Sequence, residues 1–107
     1  SLVGSEMCIR DRYNIMAKVF LITYDLRKPG QSYVELYEAI KSVGDWQHPL
    51  ESTWIVKVNN NFTSAENIYD KLRPKIDDND LLFIVDITEQ DRQGWLSKTV
   101  WTWLKNE

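Results

Sequence analysis

Residues 18–25 read KVFLITYD, and this stretch sets the frame for the rest of the chain. Valine, isoleucine, threonine, phenylalanine and tyrosine fit a pleated, half-buried surface. The run stops at Asp25, just before the turn signal Arg27-Lys28-Pro29-Gly30, so it reads as a strand. With a period of two, Val19 and Leu21 face one way while Phe20, Ile22 and Tyr24 face the other. The run LLFIVDI over residues 81–87 behaves alike, with Leu81, Phe83, Val85 and Ile87 opposing Leu82 and Ile84. Both faces of both strands are apolar, so the sheet that contains them needs a cover on each side.

Working outward, Ser32 stands three residues before Glu35, the spacing of a capping box. An apolar stripe through Val34, Tyr37 and Ile40 then predicts a helix closed by Gly44. Asp45–Leu50 is a short strand broken by Pro49, and STWIVKV over residues 52–58 is a second; a turn around Pro49–Glu51 makes them a hairpin. Thr63 and Glu66 repeat the capping-box spacing ahead of a helical face of Ala65, Ile68, Tyr69, Leu72 and Ile76, which Pro74 cuts short. Asp77, Asp78 and Asp80 read as a solvated loop. A last helix is expected over residues 93–105, with Leu96, Val100, Trp103 and Leu104 on one side.

The order β-α-β-β-α-β predicts an α+β, ferredoxin-like fold: an antiparallel four-stranded sheet with two helices on one face, plus a C-terminal Trp-rich helix. The domain is expected over residues 16–90, with residues 91–107 packing on the sheet or on a dimer partner. Residues 1–15, SLVGSEMCIRDRYNI, show neither strand nor helix periodicity, and the pattern changes at Met16. They are expected to be a non-native or disordered N-terminal extension, and SLVGSEMCIRDR resembles translated sequencing-adapter read-through. Removing Glu6, Arg10, Asp11 and Arg12 together leaves the net charge at −3.

Composition narrows the function classes. Thirteen Lys and Arg against sixteen Asp and Glu argue against a broad basic surface for non-specific binding of nucleic acid. The single cysteine, Cys8, excludes an internal disulfide and a thiolate-rich zinc site; a reducing, cytoplasmic setting is expected. Apolar runs fall far short of the roughly 20 residues that cross a bilayer, so no membrane partner is expected. Five Trp, five Tyr and three Phe are many for 107 residues, and three of the Trp fall in the last 13. The second sheet face is covered either by a second copy of the chain or by this Trp-rich tail. Phe20, Ile22, Trp95, Trp101 and Trp103 are accordingly expected at core or dimer-interface positions.

In this plan the first strand ends where its antiparallel neighbours begin, so Asp25, His48, Glu51, Ser52 and Asp80 share one rim beside Arg27 and Lys28. Carboxylates with a hydroxyl suit Mg²⁺ or Mn²⁺, and Arg27 and Lys28 suit a phosphate. Each residue also has a structural reading: Asp25 as a turn cap, His48 as a hydrogen-bonding group, Ser52 as a ladder residue.

FLITYDL leading through Asp25, the helix to Gly44 and HPLESTWIV around Ser52 resemble the CRISPR-associated protein Two family, and more so its small Two-like, SinR-family relatives outside CRISPR loci. The resemblance spans residues 16–87. It implies a homodimer of ferredoxin-like protomers, acting as a metal-dependent endonuclease or endoribonuclease on DNA or RNA, or as a scaffold. It further implies that Asp25 and its symmetry mate bind Mg²⁺ or Mn²⁺, with Ser52 the matching serine of the later strand. The family's arginines in the first helix and before the second strand are replaced here by residues such as Tyr37 and Trp46. With the acidic charge, that replacement motivates the alternative: a non-enzymatic dimeric adaptor or toxin–antitoxin-type module that binds a protein through its C-terminal helix.

Overall fold

The computed structural model describes residues 18–27, 33–60 and 62–105. Four strands, β1 (Lys18–Asp25), β2 (Asp45–Leu50), β3 (Thr53–Val58) and β4 (Leu81–Asp86), form one sheet in the order β2-β3-β1-β4. Every neighbouring pair is antiparallel. Three helices accompany it: α1 (Val34–Lys41), α2 (Ala65–Leu72) and α3 (Lys98–Lys105). The protein is therefore α+β, with the KVFLITYD strand central and β2 and β4 at the edges.

The period of two divides two cores. Phe20, Ile22 and Tyr24 of β1 join Trp54, Val56 and Val58 of β3 beneath Leu36 and Ile40 of α1 and Ile68 and Leu72 of α2. On the opposite face Val19 and Ile55 meet Val100 and Leu104 of α3, with Leu21, Ile87, Leu96, Trp101 and Trp103 packed around them. A fully buried Phe, Ile or Leu contributes about 1.5–3 kcal/mol, so the first and larger core dominates stability.

Of the two covers expected for the second face, the chain's own C-terminal helix takes the part over Val19 and Ile55. Trp103 fastens it. Its indole Nε1 donates to Asp45 Oδ2 at 2.8 Å, and its ring lies 4.4 Å below Lys57 Nζ. The Lys57 ammonium also donates to the Trp103 carbonyl. Phe20 and Ile22, expected at a core or interface, are fully buried beneath α1 and α2 and leave no surface for a partner. Trp101 and Trp103 are half-buried within the protomer, whereas Trp95 stands 99 % exposed.

Several boundaries differ from expectation for local reasons. Helix α2 is capped one residue later than predicted: Ser64 and Asn67 form the reciprocal capping box, not Thr63 and Glu66. Pro74 does end this helix, inside a 3-10 turn over Arg73–Lys75. Helix α3 starts at Lys98 rather than at residue 93, with the Ser97 carbonyl accepting from the N–H groups of Val100 and Trp101. Gly44 is not the cap of α1; Ser42 is, and Ser32 lies outside the described residues. What requires glycine at 44 is space, because a Cβ there would sit 2.1 Å from the Lys57 carbonyl oxygen.

Candidate functional site

Antiparallel pairing does bring the expected residues to one rim. Asp25 lies opposite Leu81, and Thr23 lies opposite both Thr53 and Phe83. The Tyr24 N–H and the Thr23 hydroxyl both donate to the Ser52 carbonyl, at 3.1 and 3.2 Å. Ser52 itself sits exposed in the β2–β3 turn, next to Glu51.

The charged groups there are already committed to one another. Asp25 is exposed and accepts from Arg27 Nε at 3.1 Å. The Arg27 backbone N–H in turn donates to Asp80 Oδ1 at 2.7 Å. Lys28, expected beside it as a phosphate contact, lies outside the described residues.

Asp80 corrects the expectation of a solvated acidic loop. Only 7 % exposed, its carboxylate accepts from the Tyr33 hydroxyl at 3.0–3.1 Å and from the Asp77 N–H at 2.8 Å, as well as from Arg27. One buried carboxylate thereby ties the exit of β1, the start of α1 and the entry to β4 together. A buried charge is tolerated only with such a set of donors. Asp78 does belong to the surface; its carboxylate accepts from Arg73 at 2.6 Å and raises the guanidinium pKa.

His48 follows its structural reading. Its ring stacks on Trp54 at 3.9 Å and 12°, and its Nε2 lies 3.0 Å from the Glu51 carbonyl oxygen. Trp54 is also flanked by Trp46 at 5.2 Å and Tyr37 at 5.9 Å, and its indole N–H donates to the Tyr24 hydroxyl at 3.0 Å. Burial pushes the Tyr24 phenol up to about 12, a shift that the Trp54 hydrogen bond only partly opposes. The alternation of Trp46 and His48 along β2 is the sequence signal for this stack.

Among the described residues no group of three His, Cys, Asp or Glu side chains converges on one point. Asp25 is paired with Arg27, and both oxygens of Asp80 are occupied by protein donors.

Two concavities adjoin β4. A shallow cleft of about 240 Å³ is lined by Thr23, Tyr24, Asp25, Leu81, Leu82 and Phe83. A longer groove of about 470 Å³ runs between β4 and α2, floored by Leu82 and Ile84 and walled by Ala65, Tyr69 and Phe83. Glu66 and Asp70 line the same groove. Sequence reasoning missed this groove because periodicity places α2 over the sheet without giving how far it stands from the β4 edge.

Among the described residues no helix is long and apolar enough to cross a membrane. Set against known proteins, the chain matches no family model, no curated protein and no solved structure.

Proposed function

We propose that the protein is a homodimeric interaction module, an adaptor rather than a catalyst, whose copies meet through the part of the sheet that α3 leaves open. The observation that carries this is on β4. Leu81 is 52 % and Phe83 63 % exposed, side by side on a strand at the edge of the sheet. Apolar side chains on an open edge favour association with another chain. Such a contact is small, so dimerisation is concentration-dependent. The strand order β2-β3-β1-β4, with helices after β1 and β3, supports the ferredoxin-like, split-βαβ plan. Sedimentation velocity over a concentration series tests the proposal. Wild type should show a monomer–dimer equilibrium that Phe83→Lys abolishes, and a wild-type chain monomeric at every concentration would remove it.

A Two-like, Mg²⁺- or Mn²⁺-dependent nuclease takes second place. It is favoured by the position of Asp25, exposed in the cleft beside Phe83, where a dimer contact would bring in a second copy. In the arrangement that the resemblance implies, the partner's own Asp25 joins this one at the metal. Metal-dependent cleavage of RNA or DNA that Asp25→Ala abolishes would establish it, with Ser52→Ala as the companion variant.

A further inference from the structure

We infer that the groove between β4 and α2 receives an extended peptide that adds to the β4 edge and carries lysine or arginine at alternate positions. This rests on the reading of the protein as an interaction module and names a partner class for it.

Three observations converge on the groove. The first is backbone. β4 pairs only with β1 among the described strands, so its other side is an edge. Just past β4 the Ile87 N–H donates to the Val19 carbonyl at 2.8 Å, while the Val19 N–H donates to Thr88 Oγ1 at 2.9 Å, so position 87 turns its N–H toward β1. Counting by twos, Val85, Phe83 and Leu81 turn their backbone groups toward β1, while Leu82, Ile84 and Asp86 turn theirs outward. An incoming strand meets a regular ladder there, with no register shift along β4.

The second is shape. The floor is Leu82 and Ile84, and one wall is Tyr69, 44 % exposed on α2. A strand added at the edge stands about 4.8 Å beyond β4 and sends every second side chain toward that helix.

The third is charge. Glu66 and Asp70 are both exposed, both line the groove, and no Lys or Arg is among the residues that line it. Four residues of helix rise about 6 Å, close to the roughly 6.7 Å between alternate residues of a strand. Glu66 and Asp70 therefore match two alternate side chains of one extended peptide, and the match is to cations. Backbone pairing supplies affinity, and the pockets for alternate side chains supply selectivity.

The test uses the full chain and an acetylated, amidated octapeptide alternating lysine with valine, against the same peptide with glutamate for lysine. Titration followed by amide NMR should shift Leu82, Ile84 and Asp86 with the lysine peptide, which should bind about five- to tenfold tighter than its glutamate twin. The double variant E66K/D70K should reverse that preference. E35K/E38K on α1, with the same change in net charge, should keep it. Unshifted β4 amides, equal binding of the two peptides, or equal loss in both double variants would overturn the proposal. The same samples separate it from the dimer reading. If the β4 amides shift with protein concentration but not with peptide, a second copy occupies the edge; the dimer then stands and the peptide falls. If the protein stays monomeric yet the lysine peptide binds as described, the dimer falls and the peptide stands.

Discussion

Along β2 the outer edge of the sheet carries Asp45, Gln47 and Pro49 and loses register between Gln47 and Leu50. Along β4 the opposite edge carries Leu81, Phe83 and Val85 in unbroken register with β1, with neither proline nor bulge. Proline, charge and a bulge are the ordinary means by which a sheet protects an edge from further pairing. β2 has all three. It is also held from within, because Trp46 and His48 pack on Trp54 while Trp103 donates to Asp45 from the other face. β4 has only Asp86 near its end. The two edges differ accordingly: the side chains around β2 stabilise the protomer, whereas on β4 Leu82 and Ile84 pack on the core and Leu81 and Phe83 stand exposed.

Trp54→Ala would break that division most severely. It empties the centre of the aromatic stack and should cost about 3–5 kcal/mol in chemical denaturation, loosening β2 well before β4. Gly44→Ala comes next. Its Cβ would press on the Lys57 carbonyl at the start of the hairpin, for a loss of about 1–3 kcal/mol. Hydrogen exchange should show that loss concentrated in β2 and β3.

The Tyr24 phenol adds a pH-dependent part on the same side. Its pKa is raised from 10.0 to about 12, so the folded chain favours the neutral form. The contribution is whole below the unfolded value near 10 and is lost as pH rises through about 12. An alkaline unfolding profile should therefore steepen across that window, and Tyr24→Phe should flatten it, although this variant also loses the acceptor for Trp54 Nε1. Phe83→Lys on β4 should have the smallest effect on stability, within about 0.5 kcal/mol, while altering association. A large loss of stability there would show that β4 serves the protomer as β2 does.

Much of this was legible in the sequence because period-two patterns report burial directly. KVFLITYD and LLFIVDI placed two neighbouring strands with two apolar faces, and Val19 and Phe20 do lie in different cores. The rim was legible too, since antiparallel order alone brings Asp25, Ser52 and Asp80 together. What each group does there was not. Asp80 sits among acidic neighbours that reach solvent, and its buried partner Tyr33 is 47 residues away. Trp95, Trp101 and Trp103 are alike in type, and only where α3 starts and how it docks makes one exposed and two half-buried. The capping box of α2 slipped by one residue because Thr63 and Ser64 are both able caps, and local spacing does not choose between them.

The fastening of α3 has a temporal side. Asp45 and Trp103 are 58 residues apart, and Val19 cannot meet Leu104 until nearly the whole described chain exists. The first core draws on no residue beyond β4, so it depends less on α3 than the second core does. Whenever α3 undocks, Val19, Leu21 and Ile55 lose the cover that Val100 and Leu104 give them. Helix α3, eight residues long and tethered by irregular chain, should also be among the first elements to open in the native state. The speed with which one short helix returns then sets how long that apolar strip is open to proteases or aggregation.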